Sequence, residues 1–276
     1  MKRIPRRLAD AIGIILTILA FAGFFLIAWF DFPFIEASAG QAVFVIVCVA
    51  AALTQILLRF SYSVHELGHL LFGLCAGLRF VQVRVGWLCF GEKGLKFAVG
   101  KKQAGETQFA LKRANGAHAR LFSAALGGPL SGLAVGAVLL VLWFLLPPHP
   151  AMLFFALLSP FVLAEGIFEI LPAELSAGKT DGLVLSELAA RAGETEIAVR
   201  VMQAQCLCAE GGIDNVGREL LFGVPVVRED CPAFWELLRL QEQFLRADGD
   251  ELGAERIAER LRTLEKEFGE GEYASE

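Results

Sequence analysis

Residues His65, Glu66 and His69 form an H-E-x-x-H pattern. On a helix, positions i and i+4 lie on one face, so both imidazoles can reach a single ion. Imidazole nitrogen suits zinc, and the pattern calls for one Zn2+ per chain. Glu66 stands beside the pair with a carboxylate able to take a proton from a water activated there. The chemistry this points to is metal-assisted hydrolysis. Five residues with three fixed also arise by chance, on a surface helix whose histidines are incidental. The surrounding elements therefore decide the reading.

Those elements are apolar. Of 276 residues, 55% are hydrophobic and 20% charged, and the mean hydropathy is +0.56. A soluble chain of this length carries more charge. The apolar residues fill the first two thirds in long blocks, and the charges fill the last third. This division predicts a membrane domain over residues 1–185 and an acidic helical cytosolic domain over 186–276. Four runs are long enough to cross a hydrocarbon core of roughly 30 Å. They are 8–30, 42–60 (continuing as helix to about residue 77), 121–146 and 151–171. The first is long for a signal peptide, and no small-x-small cleavage site follows it. Short segments at 31–41 and 147–150 read as loops. Alternation such as Phe80-Val81-Gln82-Val83-Arg84-Val85, with glycines after it, predicts a small β-hairpin within 79–100. Residues 103–120 read as a polar lead into the third span. The predicted fold is thus an all-α polytopic membrane protein with about four transmembrane helices, a β-hairpin insertion and a helical C-terminal domain.

Charge sets the orientation. Lys2, Arg3, Arg6 and Arg7 precede the first span, and the 79–120 segment carries nine Lys and Arg against Glu92 and Glu106. Basic loops stay inside, so both termini are expected in the cytoplasm. The two outer loops hold no Lys or Arg. With a net charge of -5 and an acidic tail, nucleic acid is excluded as a partner. The six cysteines include no C-x-x-C pair and read as free thiols. The compact chain and the lack of an organelle-targeting signal favour a bacterial cytoplasmic membrane.

Histidines and a glutamate at membrane depth are costly and mark function. Three segments resemble the site-2 protease family of intramembrane zinc metalloproteases. They are Val64-His65-Glu66-Leu67-Gly68-His69-Leu70, Gly127-Gly128-Pro129-Leu130-Ser131-Gly132, and Leu171-Pro172 followed by Thr180-Asp181-Gly182. The resemblance covers roughly residues 42–185. It implies an endopeptidase that cuts a membrane-embedded protein or peptide near the cytoplasmic face, with Glu66 as the base. It also implies that Asp181 is the third metal ligand and that Gly128 and Pro129 belong to the central core helix. Two departures stand out. Residues 173–179 lengthen the spacing from proline to aspartate, and Glu169 stands where the family has asparagine.

The residue types carry the same idea. A carboxylate oxygen with two imidazoles leaves a fourth position open. Asp181 could instead cap the helix that follows it, and Glu165, Glu169 and His118 are alternative ligands. Glu165 and Glu169 share a helix face, either as a polar wall of the site, or snorkelling to the interface or pairing with a basic residue. Gly127, Gly128, Gly132 and Gly136 are explained more simply by close helix packing than by substrate contact. The inferred topology puts His65–His69 near the inner end of the second span and Asp181 just past the inner end of the fourth, at one depth. The bilayer and a membrane-bound substrate are the expected partners, and the C-terminal domain is open to a regulatory one. The competing functions are a catalytically silent protease-like scaffold or transport partner, which would not need Glu66, and a zinc hydrolase with a non-peptide substrate.

Overall fold

A computed structural model describes residues 3–31, 40–85, 88–91, 94–97, 105–146, 150–175 and 178–268, with only the backbone described at 28–31, 40–52, 54–55 and 150–154. The predicted loops fall largely on 32–39 and 147–149, outside the described residues. The chain divides into two compact units.

The first unit comprises residues 1–76, 80–109 and 123–185. Its helices are α1 (Arg6–Asp31), α2 (Gly40–Cys75), α3 (Ala117–Leu145) from residue 123 onward, and α4 (Pro150–Ile170). Two stretches, Arg6–Ile27 and Ala117–Leu145, are long and apolar enough to cross a membrane. Their large side chains are not hidden: Ile14 is 62% exposed and Phe144 72%. A core helix of a soluble protein would bury such groups, whereas lipid accepts them. Helix α3 starts four residues before the predicted span, because the polar His118 and Arg120 interrupt the apolar run there while remaining helical.

Inside the unit, Phe24 of α1, Leu57 of α2, and Ala156, Phe161 and Val162 of α4 form one buried cluster. Phe21 meets Phe161 edge to face at 5.5 Å between ring centres, a favoured aromatic arrangement. A Cβ added at Gly132 of α3 would lie 3.3 Å from the Cα of Gly166 in α4. Backbones thus meet there, as small residues permit.

The expected hairpin is part of a larger sheet. Strands β1 (Arg79–Val85), β2 (Leu88–Gly91), β3 (Gly94–Phe97) and β4 (Gly105–Ala110) lie in the order β3-β2-β1-β4. β1 and β2 are antiparallel with Val83 opposite Phe90, and β2 and β3 are antiparallel with Leu88 opposite Phe97. β4 corrects the reading of 103–120 as a mere lead-in. Only two turns of alternation, Glu106-Thr107-Gln108-Phe109, mark it, too few to separate a strand from a polar loop. After α4, a two-stranded hairpin of β5 (Glu174–Leu175) and β6 (Gly178–Lys179) leads to α5 (Asp181–Ala190).

The second unit comprises residues 77–79, 110–122 and 186–276. Its helices are α6 (Gly193–Gly211), the short α7 (Arg218–Leu221), α8 (Pro232–Ala247) and α9 (Glu251–Phe268). Ile197, Leu221, Leu237, Leu238, Leu261 and Leu264 line their common core. Pro232 opens α8 at a position where a missing N–H costs nothing. Among the described cysteines, Cys75, Cys89, Cys206 and Cys208 are free thiols. The side chain of Cys48 lies outside the described residues.

Candidate metal centre

Helix α2 runs without a break through the H-E-x-x-H pattern, so His65 and His69 fall on one face, one turn apart. Their Nε2 atoms lie 3.0 Å from each other. Asp181, the first residue of α5, brings its Oδ2 to 3.0 Å from His65 Nε2 and 3.1 Å from His69 Nε2. Three ligand-type atoms thus converge at nearly equal spacing, and the group could hold a metal ion. Asp181 Oδ2 is buried, and the polar groups it faces among the described residues are the two imidazole nitrogens. A buried carboxylate oxygen facing two imidazole nitrogens is costly unless an imidazole N–H or a bound cation satisfies it. Two nitrogens and one carboxylate oxygen form the donor set of an open zinc site. The residues therefore fit the ion that the sequence predicts.

His69 is held from behind. Its Nδ1 lies 2.7 Å from the Ala124 carbonyl of α3. With Nδ1–H donating there, Nε2 is left as the lone pair aimed at the group, a common backing for metal-binding histidines. Gly128 supplies the space in front. A Cβ on it would stand 2.4 Å from His69 Nε2 and 2.7 Å from His65 Cε1. Beside it, Gly68 of α2 and Gly127 of α3 let the two backbones touch: a Cβ on Gly68 would lie 2.4 Å from the Gly127 carbonyl oxygen. Pro129 is fully buried within α3. The glycines thus serve packing, but Gly128 packs on the histidine rings themselves.

The lengthened proline-to-aspartate spacing folds back on itself. β5 and β6 pair Glu174 with Lys179, which returns Thr180 to Ala173. The buried Thr180 hydroxyl sits 2.5 Å from the Leu171 carbonyl and 2.9 Å from that of Ala173. Thr180 also takes the cap position, its carbonyl accepting N–H bonds from Leu183 and Val184. Asp181 is thereby free of capping and turned to the histidines. Gly182 is forced by contact, since a Cβ there would stand 1.9 Å from the Ile170 carbonyl oxygen. The N-terminal segment braces the same loop: the Ile4 N–H donates to the Pro172 carbonyl at 2.9 Å.

The other candidates are placed as follows. Glu169 is not one of the three converging groups; its Oε2 accepts the Asp181 backbone N–H at 3.2 Å. Glu165 accepts a hydrogen bond from the hydroxyl of Ser61, a buried residue of α2. Both glutamates therefore face protein, and the snorkelling alternative falls away. Glu66 is buried beside the group, and its carboxylate accepts the hydroxyl of Thr107 on β4. Sequence reasoning missed Thr107, because a threonine in a polar stretch carries no signal.

His118 is not a metal ligand in this arrangement. Within the second unit, its Nε2 lies 2.7 Å from Glu196 Oε2, and Arg200 Nε lies 2.9 Å from Oε1 of the same carboxylate. Burial pushes the Glu196 carboxyl up, but the His118 and Arg200 hydrogen bonds outweigh it and hold the group below its ordinary 4.5. A lowered folded-state value means stability that is present above 4.5 and lost as pH falls through the lowered value. The thermal midpoint of the wild-type chain should therefore drop as pH falls below 4.5, and that of Glu196→Gln should change less over the same range. Parallel pH–stability curves for the two proteins would contradict this.

Comparison with family models, curated proteins and solved structures returns no match. The functional reading thus stands on the residues and their geometry.

Proposed function

We propose that this chain is an integral membrane zinc endopeptidase, which hydrolyses a peptide bond of a membrane-associated protein or peptide near the cytoplasmic face. The observation that carries this is the convergence of His65 Nε2, His69 Nε2 and Asp181 Oδ2 beside the carboxylate of Glu66. The resemblance of the three sequence segments to site-2 proteases supports the same reading, as do the unburied apolar faces of α1 and α3. In this reading α2 and α4 also cross the bilayer, giving four spans and two cytoplasmic termini.

His65, His69 and Asp181 would hold the ion. Zinc bound there supplies Lewis acidity, which polarises a carbonyl and brings a water's pKa to about 7. Glu66 accepts the proton of the attacking water and delivers it to the leaving amine. Ala124 keeps His69 in the tautomer that presents Nε2, and Thr180 and Glu169 keep Asp181 turned inward. The substrate must be locally extended, because helical hydrogen bonds bury the peptide bond. An extended peptide can add to an open sheet edge, and β4 is an edge strand that abuts Glu66.

Elemental analysis of detergent-purified protein tests the reading. Wild type should carry about one zinc per chain, and His65→Ala and Asp181→Ala should lose most of it. Zinc that survives Asp181→Ala unchanged would move the third ligand to Glu165 or Glu169. A wild type that takes up no zinc on reconstitution would sink the endopeptidase and leave the scaffold.

A further inference from the structure

We infer that β4 is docked on α2 to hold the general base, with Thr107 as its positioning residue; this rests on the endopeptidase reading for its catalytic consequence, though not for the contact itself. Side chains alternate across a strand, and β4 uses the alternation fully. Gly105, Thr107 and Phe109 share one face. A Cβ on Gly105 would lie 2.3 Å from Glu66 Oε1, so the strand backbone lies against the carboxylate. The Thr107 hydroxyl donates to Glu66 Oε2 and lies 3.3 Å from the Glu66 backbone carbonyl. Phe109 covers Gly73, where an added Cβ would meet its ring at 2.4 Å. Glu66 and Gly73 are seven residues apart, two helical turns, and so fall on one face of α2. The opposite face of β4 is tied to the sheet: Glu106 Oε2 is 3.1 Å from an Arg84 guanidinium nitrogen, and Arg84 is buried in β1.

The three contacts follow from one another. Glycine at 105 allows the strand to reach the carboxylate, the hydroxyl at 107 orients it, and the ring at 109 fixes the register along the helix. A glutamate carboxylate at the end of three rotatable bonds has rotamer freedom that a base must lose before it can act. A neutral hydroxyl donor orients one oxygen and leaves the other for the proton. Thr107 touches neither the three converging atoms nor, in this reading, the substrate. It acts through Glu66.

The test compares Thr107→Val, which keeps the shape and removes the donor, with Thr107→Ser, which keeps the donor. Infrared difference spectra against Glu66→Gln give the Glu66 carboxylate band on zinc-loaded protein without any substrate. Thr107→Val should shift that band, and Thr107→Ser should leave it in place. With a cleaved membrane peptide, Thr107→Val should lower kcat roughly tenfold with KM and zinc content unchanged, while Thr107→Ser stays within about twofold of wild type. An unshifted band in Thr107→Val overturns the inference whether or not the protein cuts peptides. A shifted band with full kcat overturns the positioning role. A wild type that cleaves nothing yet shows the shift removes the endopeptidase reading and upholds the contact.

Discussion

Glu66→Gln should abolish peptide hydrolysis, by roughly a thousandfold or more, while zinc content stays at the wild-type level. The substitution removes basicity and little else. Glu66 is not among the three converging atoms, so its charge is not needed to hold the ion. Glutamine has the same volume, which matters where the backbone at Gly105 closes on the carboxylate. Its amide oxygen still accepts the Thr107 hydroxyl, so β4 keeps its seat. What is lost is the proton acceptor beside the attacking water. The measurement is cleavage of a co-expressed or reconstituted membrane substrate, with elemental analysis on the same preparation. More than about a tenth of wild-type activity in Glu66→Gln would pass the role to Glu165 or Glu169, the remaining buried-side carboxylates of α4, because a genuine general base supplies 10²-fold or more. Equal, absent cleavage in both proteins with zinc in place would favour the silent scaffold.

How much of this could be read without coordinates depends on the range of the interaction. His65 and His69 were legible because i, i+4 placement is a local property of any helix. Asp181 lies more than a hundred residues further on, and residue type alone left Glu165, Glu169 and, more weakly, His118 open beside it. It was singled out by the resemblance and by the matched depth of two predicted span ends. The structure separates the four by what each carboxylate or ring faces: histidines for Asp181, Ser61 for Glu165, the Asp181 N–H for Glu169 and Glu196 for His118. The long helices were legible as apolar runs, though only two described stretches meet the length and hydropathy of a span. β4 was not legible. Four alternating residues in a polar stretch become a strand only because β1 stands beside them and α2 beneath, and neither neighbour is visible in the local sequence. The glycines show the same limit. Gly128 and Gly136 look alike in the sequence, and only packing tells what each one faces.

That difference yields a second large effect. Gly128→Ala should weaken zinc binding by 10- to 100-fold, as removal of outer support does at other metal sites, and activity should fall at least as far. The added methyl would stand 2.4 Å from His69 Nε2, 2.5 Å from His69 Cε1 and 2.7 Å from His65 Cε1. Something must move, and the usual ways out are closed. His69 is pinned at Nδ1 by the Ala124 carbonyl, four residues earlier on the same helix as Gly128. Helix α2 cannot withdraw alone, because Ser131 Oγ of α3 bonds the Val64 carbonyl at 3.1 Å and Gly68 rests on Gly127. Strain therefore goes into the ligand rings. Gly136→Ala is the control, since its methyl would meet chiefly the Leu163 side chain at 2.7 Å, which has other rotamers. It should lower stability by about 1 kcal/mol and leave zinc affinity alone. The measurement is zinc affinity by competition with a chelator, on both variants in detergent. A Gly128→Ala protein that binds zinc as tightly as Gly136→Ala would mean that the rings have room to retreat, and that Gly128 only packs one helix on another.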